Sequence, residues 1–504
     1  MKESPVLSLR LVFGLALGLA LMIMYIPHAI AAAEIYVDPG GSIQTTIDNA
    51  ENGAVIVIRP ATYKENLNFK NKAITVRSMD PDNPAVVAAT IIDGNQAGSV
   101  VTFSSGEGSG SVLSGVTIQN GSAKYGVVVY GGGIYCHSSS PIITKCTITG
   151  NSAYSGGGGI FSDASSSPTI TNCIISRNET GTSGSGGGIA CRSSTRINNC
   201  TISNNKASSC GGGISCSDFS TITNCTISRN EAGSEGGGIS CSGSSSFTNC
   251  IISQNMSMKW IMGGGVGGGI SCSNSLPSFT NCTISRNKAD MRGGGIYCSC
   301  SVVTLTNCIL WDNLPQKIYL SSSSICNVTN SDIQQESGLY AGDGNINADP
   351  LFVCSEQGNF YLRAGSPCID HGIVTGAPSY DHGGISRPQG LGTDIGAYEY
   401  VEPASCTPRA SFTVDQTTGV ASSIGVLPLN VHFDASSSGG IQYPGATFLW
   451  DFGDGFSSSS MPATYAYPYY GVYSVSLTRV FWIFHLMSLL SYSYRLYYKL
   501  ISCN

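Results

Sequence analysis

Charge is scarce in this chain. Only 11% of its 504 residues are Asp, Glu, Lys or Arg, and the net charge is −6. No basic patch breaks that balance, which excludes a nucleic-acid partner held through phosphate contacts. Acids are thin in the middle of the chain. Between Gly131 and Asn313 they are Asp163, Glu179, Asp218, Glu231, Glu235, Asp290 and Asp312. Glycoside hydrolysis needs a pair of carboxyl groups flanking one bond, and eliminative cleavage needs a base beside calcium held by several carboxylates. These seven acids show no such convergence. Helix-forming composition is lacking as well, because Gly, Ser, Thr and Asn dominate the same stretch and each disfavours a helix interior.

What replaces charge and helix is a repeat. Cys146, Cys173, Cys200, Cys225, Cys250, Cys282 and Cys308 are each followed five residues later by an asparagine: Asn151, Asn178, Asn205, Asn230, Asn255, Asn287 and Asn313. The period is 25 to 27 residues, stretched once to 32. A period of this size means one supersecondary unit stacked on copies of itself. Apolar residues recur within the unit at a spacing of two, as in Ile214 and Cys216, or Cys225 and Ile227, which is strand alternation. The expected fold is therefore all-β, a parallel β-helix whose coils pair along the axis at about 4.8 Å.

Stacking gives each position a ladder. Cys216, Cys241 and Cys272 form one inward column, Cys200, Cys225 and Cys250 a second, and Ile189, Ile214 and Ile239 an apolar third. The repeated Asn sits where the chain turns, tolerating left-handed geometry and bonding amide to amide along the column. The glycine run permits positive φ or close approach at another corner. Thirteen of the 20 cysteines lie on the two ladders and read as small buried hydrophobes, with Ser162 replacing one. Cys354 and Cys368 are the better disulfide candidates. No His accompanies the ladders, which argues against a metal site there.

The chain divides as follows. Residues 1–33 read as a secretion signal, Lys2 and Arg10 preceding an apolar run that ends in Ala31-Ala32-Ala33; an uncleaved anchor is the alternative. Residues 34–130 hold a cap and the first coils, with Ser42 capping a short helix from Ile43 to Ala50 that covers the open first coil. Residues 131–313 are the repeat, and 314–402 its terminal coils and an end segment. Residues 403–479 form a second all-β module. Residues 480–504, rich in Phe, Tyr, Leu and Ser, read as an altered reading frame or a short membrane-associating tail. An exported protein, secreted or cell-surface, is the expectation.

The repeat resembles right-handed parallel β-helix proteins of the pectin-lyase-like class, and its GGGI strings resemble repeats of chlamydial polymorphic outer membrane proteins. The stretch from Asp349 to Tyr400 (DPLF…SPCIDHG…DIGAYEY) resembles an end segment of the choice-of-anchor type. The module carrying Trp450-Asp451-Phe452-Gly453-Asp454-Gly455 resembles a PKD domain, an immunoglobulin-like sandwich, here incomplete. The first resemblance implies either a polysaccharide lyase or hydrolase, or a non-catalytic scaffold that binds a polysaccharide or cell-surface polymer along its faces. The PKD-like module implies contacts with other surface proteins.

Two groups of site residues follow. Arg177, Arg229 and Arg286 recur on alternate coils just before the turn Asn, about 9.6 Å apart, as a row of donors for an acidic polysaccharide or as a solvated rim. Trp260, in the insertion between Asn255 and Gly267, offers a sugar-stacking aromatic. Asp370, His371, Asp381, His382 and Asp394, with Arg387 and Glu399, form either an acid–base or calcium cluster or part of a structural end segment. Calcium is the one cofactor these residues suggest.

Overall fold

A computed structural model describes residues 34–123, 129–259, 264–321 and 323–401, together with strand segments between 413 and 495. The secretion signal and Trp260 lie outside the described residues. Two compact units divide at Tyr400 and Val401.

The first unit is a parallel β-helix. Among the described residues its coils build four parallel sheets of ten, twelve, eleven and seven strands. One coil shows the pattern. Ile134–Cys136 lies in the ten-strand sheet, Ile142–Thr144 in the twelve, Thr147–Thr149 in the eleven, and Ser152–Ala153 in the seven. Each strand pairs in register with the equivalent strand of the next coil, so Ile189, Ile214 and Ile239 stack as expected. Cys136, Ser162, Cys191, Cys216, Cys241, Cys272 and Cys298 form one continuous inward column. The inward isoleucines and cysteines make a single core running the length of the solenoid.

The second cysteine ladder lies elsewhere than the alternation suggested. Cys225 occupies the bend between Thr221–Thr223 and Thr226–Ser228 rather than a strand. Its thiol points back at the carbonyls of Thr223 (3.2 Å) and, one coil earlier, Ile197 (3.7 Å). Each ladder thiol is thus a weak donor for corner carbonyls. All the cysteines of this unit are free, Cys354 and Cys368 included. The expected bridge is replaced by a buried thiol, Cys368, whose Sγ donates to Asp332 Oδ2 at 3.3 Å.

The asparagine column is buried and forms an amide chain. Asn205 Nδ2 donates to Asn230 Oδ1, and Asn230 Nδ2 to Asn255 Oδ1, each at 3.0 Å. Left-handed geometry falls one residue earlier than expected, at Arg177, Asn204, Arg229, Gln254, Arg286 and Asp312, with φ between 55° and 57°. The corner thus splits its two tasks. The ladder Asn satisfies backbone groups inside, and the preceding residue makes the turn and projects outward. In the glycine run, a Cβ on Gly212 would sit 2.4 Å from the carbonyl oxygens of Glu231 and Gly237. Only Gly allows the next coil that close.

The helix Ile43–Asn49 caps the first coil, its start held by Ser42 Oγ accepting from Thr45 N at 3.0 Å, with Ile43 and Ile47 buried. A second short helix, Pro84–Ala89, precedes the strand Thr90–Asp93. Residues 349–400 do not continue the solenoid. They fold back over the outer face of the eleven-strand sheet, bonding to coils far away in sequence. His382 Nδ1 and Nε2 reach Asn249 O (2.8 Å) and Thr226 Oγ1 (3.3 Å); Ala397 N donates to Thr283 Oγ1 (3.1 Å) and Gly396 N to Asn307 O (2.8 Å).

The second unit has antiparallel strands in two sheets. One joins Thr413–Asp415, Leu429–Asp434 and Ala463–Tyr467; the other joins Ala446–Asp451, Ser457–Ser458, Ser476–Phe481 and Ser493–Arg495.

Candidate functional site

The structure separates the expected arginines. Arg229 Nε donates to Gln254 Oε1 at 2.9 Å, and Arg286 lies 3.6 Å from Asp312 and 3.8 Å from Glu356 of the folded-back segment. Both are committed to neighbours, so a continuous row of free donors does not exist. Arg177 differs: it carries no ion pair among the described residues. It lines a polar cleft of about 290 Å³ with Gln96, Asn120, Ser122, Ser152 and Glu179.

The acid and histidine cluster is a loop-organising core. Asp370, Asp381 and Asp394 accept backbone N–H groups from Gly392, Ile385 and Tyr400, respectively. Arg387 and Glu399 form a buried ion pair, and Arg387 Nη2 also donates to Gly396 O and Ala397 O. Burial pushes Asp394 up to about 7 and raises Glu399, while the same burial lowers Arg387. His371 is on the outside, with Nδ1 against Ile369 O. His382 faces the solenoid. Asp370, Asp381, Asp394, Arg387 and Glu399 are linked by hydrogen bonds, the two histidines point elsewhere, and among the described residues no three His, Cys, Asp or Glu side chains are placed to hold a metal ion.

The open site is a groove that sequence reasoning did not find. Across the eleven-strand sheet one outward column reads Thr147, Ile174, Thr201, Thr226, Ile251, Thr283, Ile309. The folded-back segment covers its far end, burying Ile251 beside Phe360 and Ala397, and Ile309 beside Leu362 and Ile395. The Pro84–Ala89 helix covers the near end, where Thr117 Oγ1 donates to Val87 O at 2.9 Å. Between the covers Ile174 stays 49% exposed. It shares an apolar cavity of about 590 Å³ with Pro81, Pro84, Val87, Ala88 and Thr147.

That cavity and the Arg177 cleft lie along the same two chain segments. One end carries Lys145, 2.6 Å from Asp82, and the exposed pair Asn172 and Asn199; the other carries Arg177 and Glu179. The floor turns a corner at Gly150, so the cavity over Thr147–Thr149 and the cleft beside Ser152 lie on either side of that bend. The floor is apolar at the middle and polar at both ends. The readable signal was Ile174, an apolar residue at an outward position where its neighbours carry Thr.

The family described as Right handed beta helix region matches residues 35–182 and 106–275. The chlamydial polymorphic membrane protein repeat matches residues 281–299. Comparison with curated proteins gave no match. Among solved structures, the pectate lyase Pel9A aligns at 16% identity and TM-score 0.42, covering 74% of this chain and 97% of that one. The alginate lyase AlyGC of family PL6 aligns at 13% and 0.33, covering 74% and 60%. By its repeats and its strand order, the first unit is a parallel β-helix, and residues 35–275 of it carry the right-handed β-helix match.

Proposed function

We propose that this chain is an exported, non-catalytic scaffold that binds a glycan through the groove over Thr147 and Ile174. The observation that carries the reading is the uncovered Ile174, the one apolar member of its column left open between two covers. A sugar chain presents apolar ring faces flanked by hydroxyls, and the groove offers the matching order: an apolar floor, then Lys145 and Asn172 at one end and Arg177 and Glu179 at the other. The Arg177 end suits hydroxyl recognition, since a guanidinium donates to sugar oxygens. A lyase or hydrolase would need a convergent acid pair or a calcium cluster, and the carboxylates of Asp370, Asp381, Asp394 and Glu399 are engaged by backbone N–H groups.

The test is retention and turnover of the full chain against a panel of plant, algal and bacterial polysaccharides, with and without calcium. Retention on one polymer, weakened by Arg177→Gln and Ile174→Asp and without release of reducing or unsaturated ends, is the expected result. Turnover abolished by those substitutions would overturn the non-catalytic reading. Retention untouched by either would overturn the groove.

A further inference from the structure

In three middle coils the ten-strand sheet follows one rule outside the core, serine on both sides of the ladder Cys: Ser215-Cys216-Ser217, Ser240-Cys241-Ser242 and Ser271-Cys272-Ser273. Three successive earlier coils break it. They read Tyr135-Cys136-His137, Phe161-Ser162-Asp163 and Ala190-Cys191-Arg192. Register stacks Tyr135 on Phe161 and Phe161 on Ala190, which brings His137, Asp163 and Arg192 into one column beside them.

The departures make one surface. Tyr130 stacks on Phe161 with centroids 4.4 Å apart, Phe161 is followed by Tyr135 at 5.9 Å, and Tyr135 lies nearly parallel to the His137 ring at 6.0 Å. Arg192 places its guanidinium over the Tyr130 ring at 4.9 Å and the Phe161 ring at 5.3 Å. It turns away from Asp163, which pairs instead with His137 Nδ1 and accepts from Ser138 N, Ser165 N and Ser166 Oγ. Burial works to raise the Asp163 carboxyl, but those donors and His137 hold it below its ordinary value. The one acid on this surface is therefore a carboxylate engaged by its own neighbours and not by Arg192, which is exposed, held on two ring faces, and without a carboxylate partner among the described residues. A guanidinium fixed in that way presents its outer N–H edge to an anion at little entropic cost.

We infer that this face is a second glycan site, taking the carboxylate of a uronate-bearing chain on Arg192 and its ring face on Tyr135. It lies on the same coils as the groove but on another wall of the solenoid. Two sites on two walls join two chains, so the protein cross-links its polymer. The cross-linking clause rests on the groove being a glycan site; the Arg192 site does not.

The experiment titrates the full chain with short oligogalacturonides and oligoalginates by calorimetry, and follows polygalacturonate and alginate by light scattering. The expected result is two sites and large scattering aggregates. Arg192→Gln should remove one site and the aggregates, with about tenfold weaker binding there; Arg192→Lys should recover only part, because it loses the planar stack. Arg177→Gln should remove the other site. Unfolding midpoints equal to the parent check that these exposed changes leave the fold intact. One site lost with Arg177→Gln and indifferent to Arg192→Gln would overturn the second site and keep the groove. One site lost only with Arg192→Gln would keep this site and overturn the groove. No binding of either uronate would overturn the acidic-glycan assignment.

Discussion

Replacing Asn230 by Ala tests whether the amide column holds the coils together. Asn230 is fully buried. Its Nδ2 donates to Ile202 O at 2.9 Å and Asn255 Oδ1 at 3.0 Å, and its Oδ1 accepts from Asn205 N at 2.9 Å and Asn205 Nδ2 at 3.0 Å. After truncation, Asn205 Nδ2 keeps its bond to Ile175 O, and Asn255 Oδ1 keeps the one from Asn230 N. One group is left without a partner, the Asn205 N–H, because the Ile202 carbonyl keeps the ladder bond of its parallel strand pair. At about 1–3 kcal/mol for a buried group left unsatisfied, the cost is about 2 kcal/mol. Asn230→Asp keeps the acceptor but sets a second oxygen against the Ile202 and Asn255 oxygens. At pH 7 it should cost more than Ala, and acid that protonates it should narrow the gap. Urea unfolding and exchange of the Asn205 amide measure both, the latter because solenoids open locally as well as globally. The control is Asn198→Ala, on an exposed strand position, expected within about 0.5 kcal/mol of the parent. A loss at Asn230 no larger than at Asn198, or Asp tolerated better than Ala at neutral pH, would refute the column.

Three further outcomes are expected. Gly212→Ala should be poorly tolerated, because its Cβ meets two carbonyl oxygens at 2.4 Å, whereas Gly150→Ala, with φ of 65° and open space around it, should cost only the left-handed strain of about 1–2 kcal/mol; paired unfolding curves decide. Burial raises both Asp332 and Asp394 to about 7. The folded state then binds more protons than the unfolded chain, so their contribution is fully present below about pH 4 and is lost as pH rises through about 7. Asp332→Asn should flatten the fall in unfolding midpoint over that window, and an unchanged slope would disprove the assignment. Arg229→Gln and Arg286→Gln should leave glycan retention within about twofold of the parent, unlike Arg177→Gln, since both guanidinia already have partners.

The solenoid was legible because stacking forces the same residue into the same place seven times, and a period survives any error about single residues. The helix after Ser42 was legible for a local reason, its cap. What failed was whatever depends on contact between distant segments. Arg229 and Arg286 looked equivalent to Arg177 because their coils are equivalent; what distinguishes them is the partner each finds, Gln254 one coil on for Arg229, and Asp312 with Glu356 of the folded-back segment for Arg286. Asp370, Asp381 and Asp394 looked reactive because their hydrogen bonds go to backbone groups, which leave no trace in residue type. The helix Pro84–Ala89 was not read from the sequence, although Asn83 caps it and Pro84 stands at its start.

The folded-back segment also changes how the molecule should respond to force. A bare solenoid pulled from its ends peels one coil at a time, each giving way at the load of a single inter-coil seam. Here His382, Gly396 and Ala397 bridge coils from Thr226 to Asn307. Those bonds lie in parallel with the seams they span, so tension must shear the bridge before any seam beneath it can part. Extension traces should show small, evenly spaced steps from the early coils and one larger rupture from the bridged block.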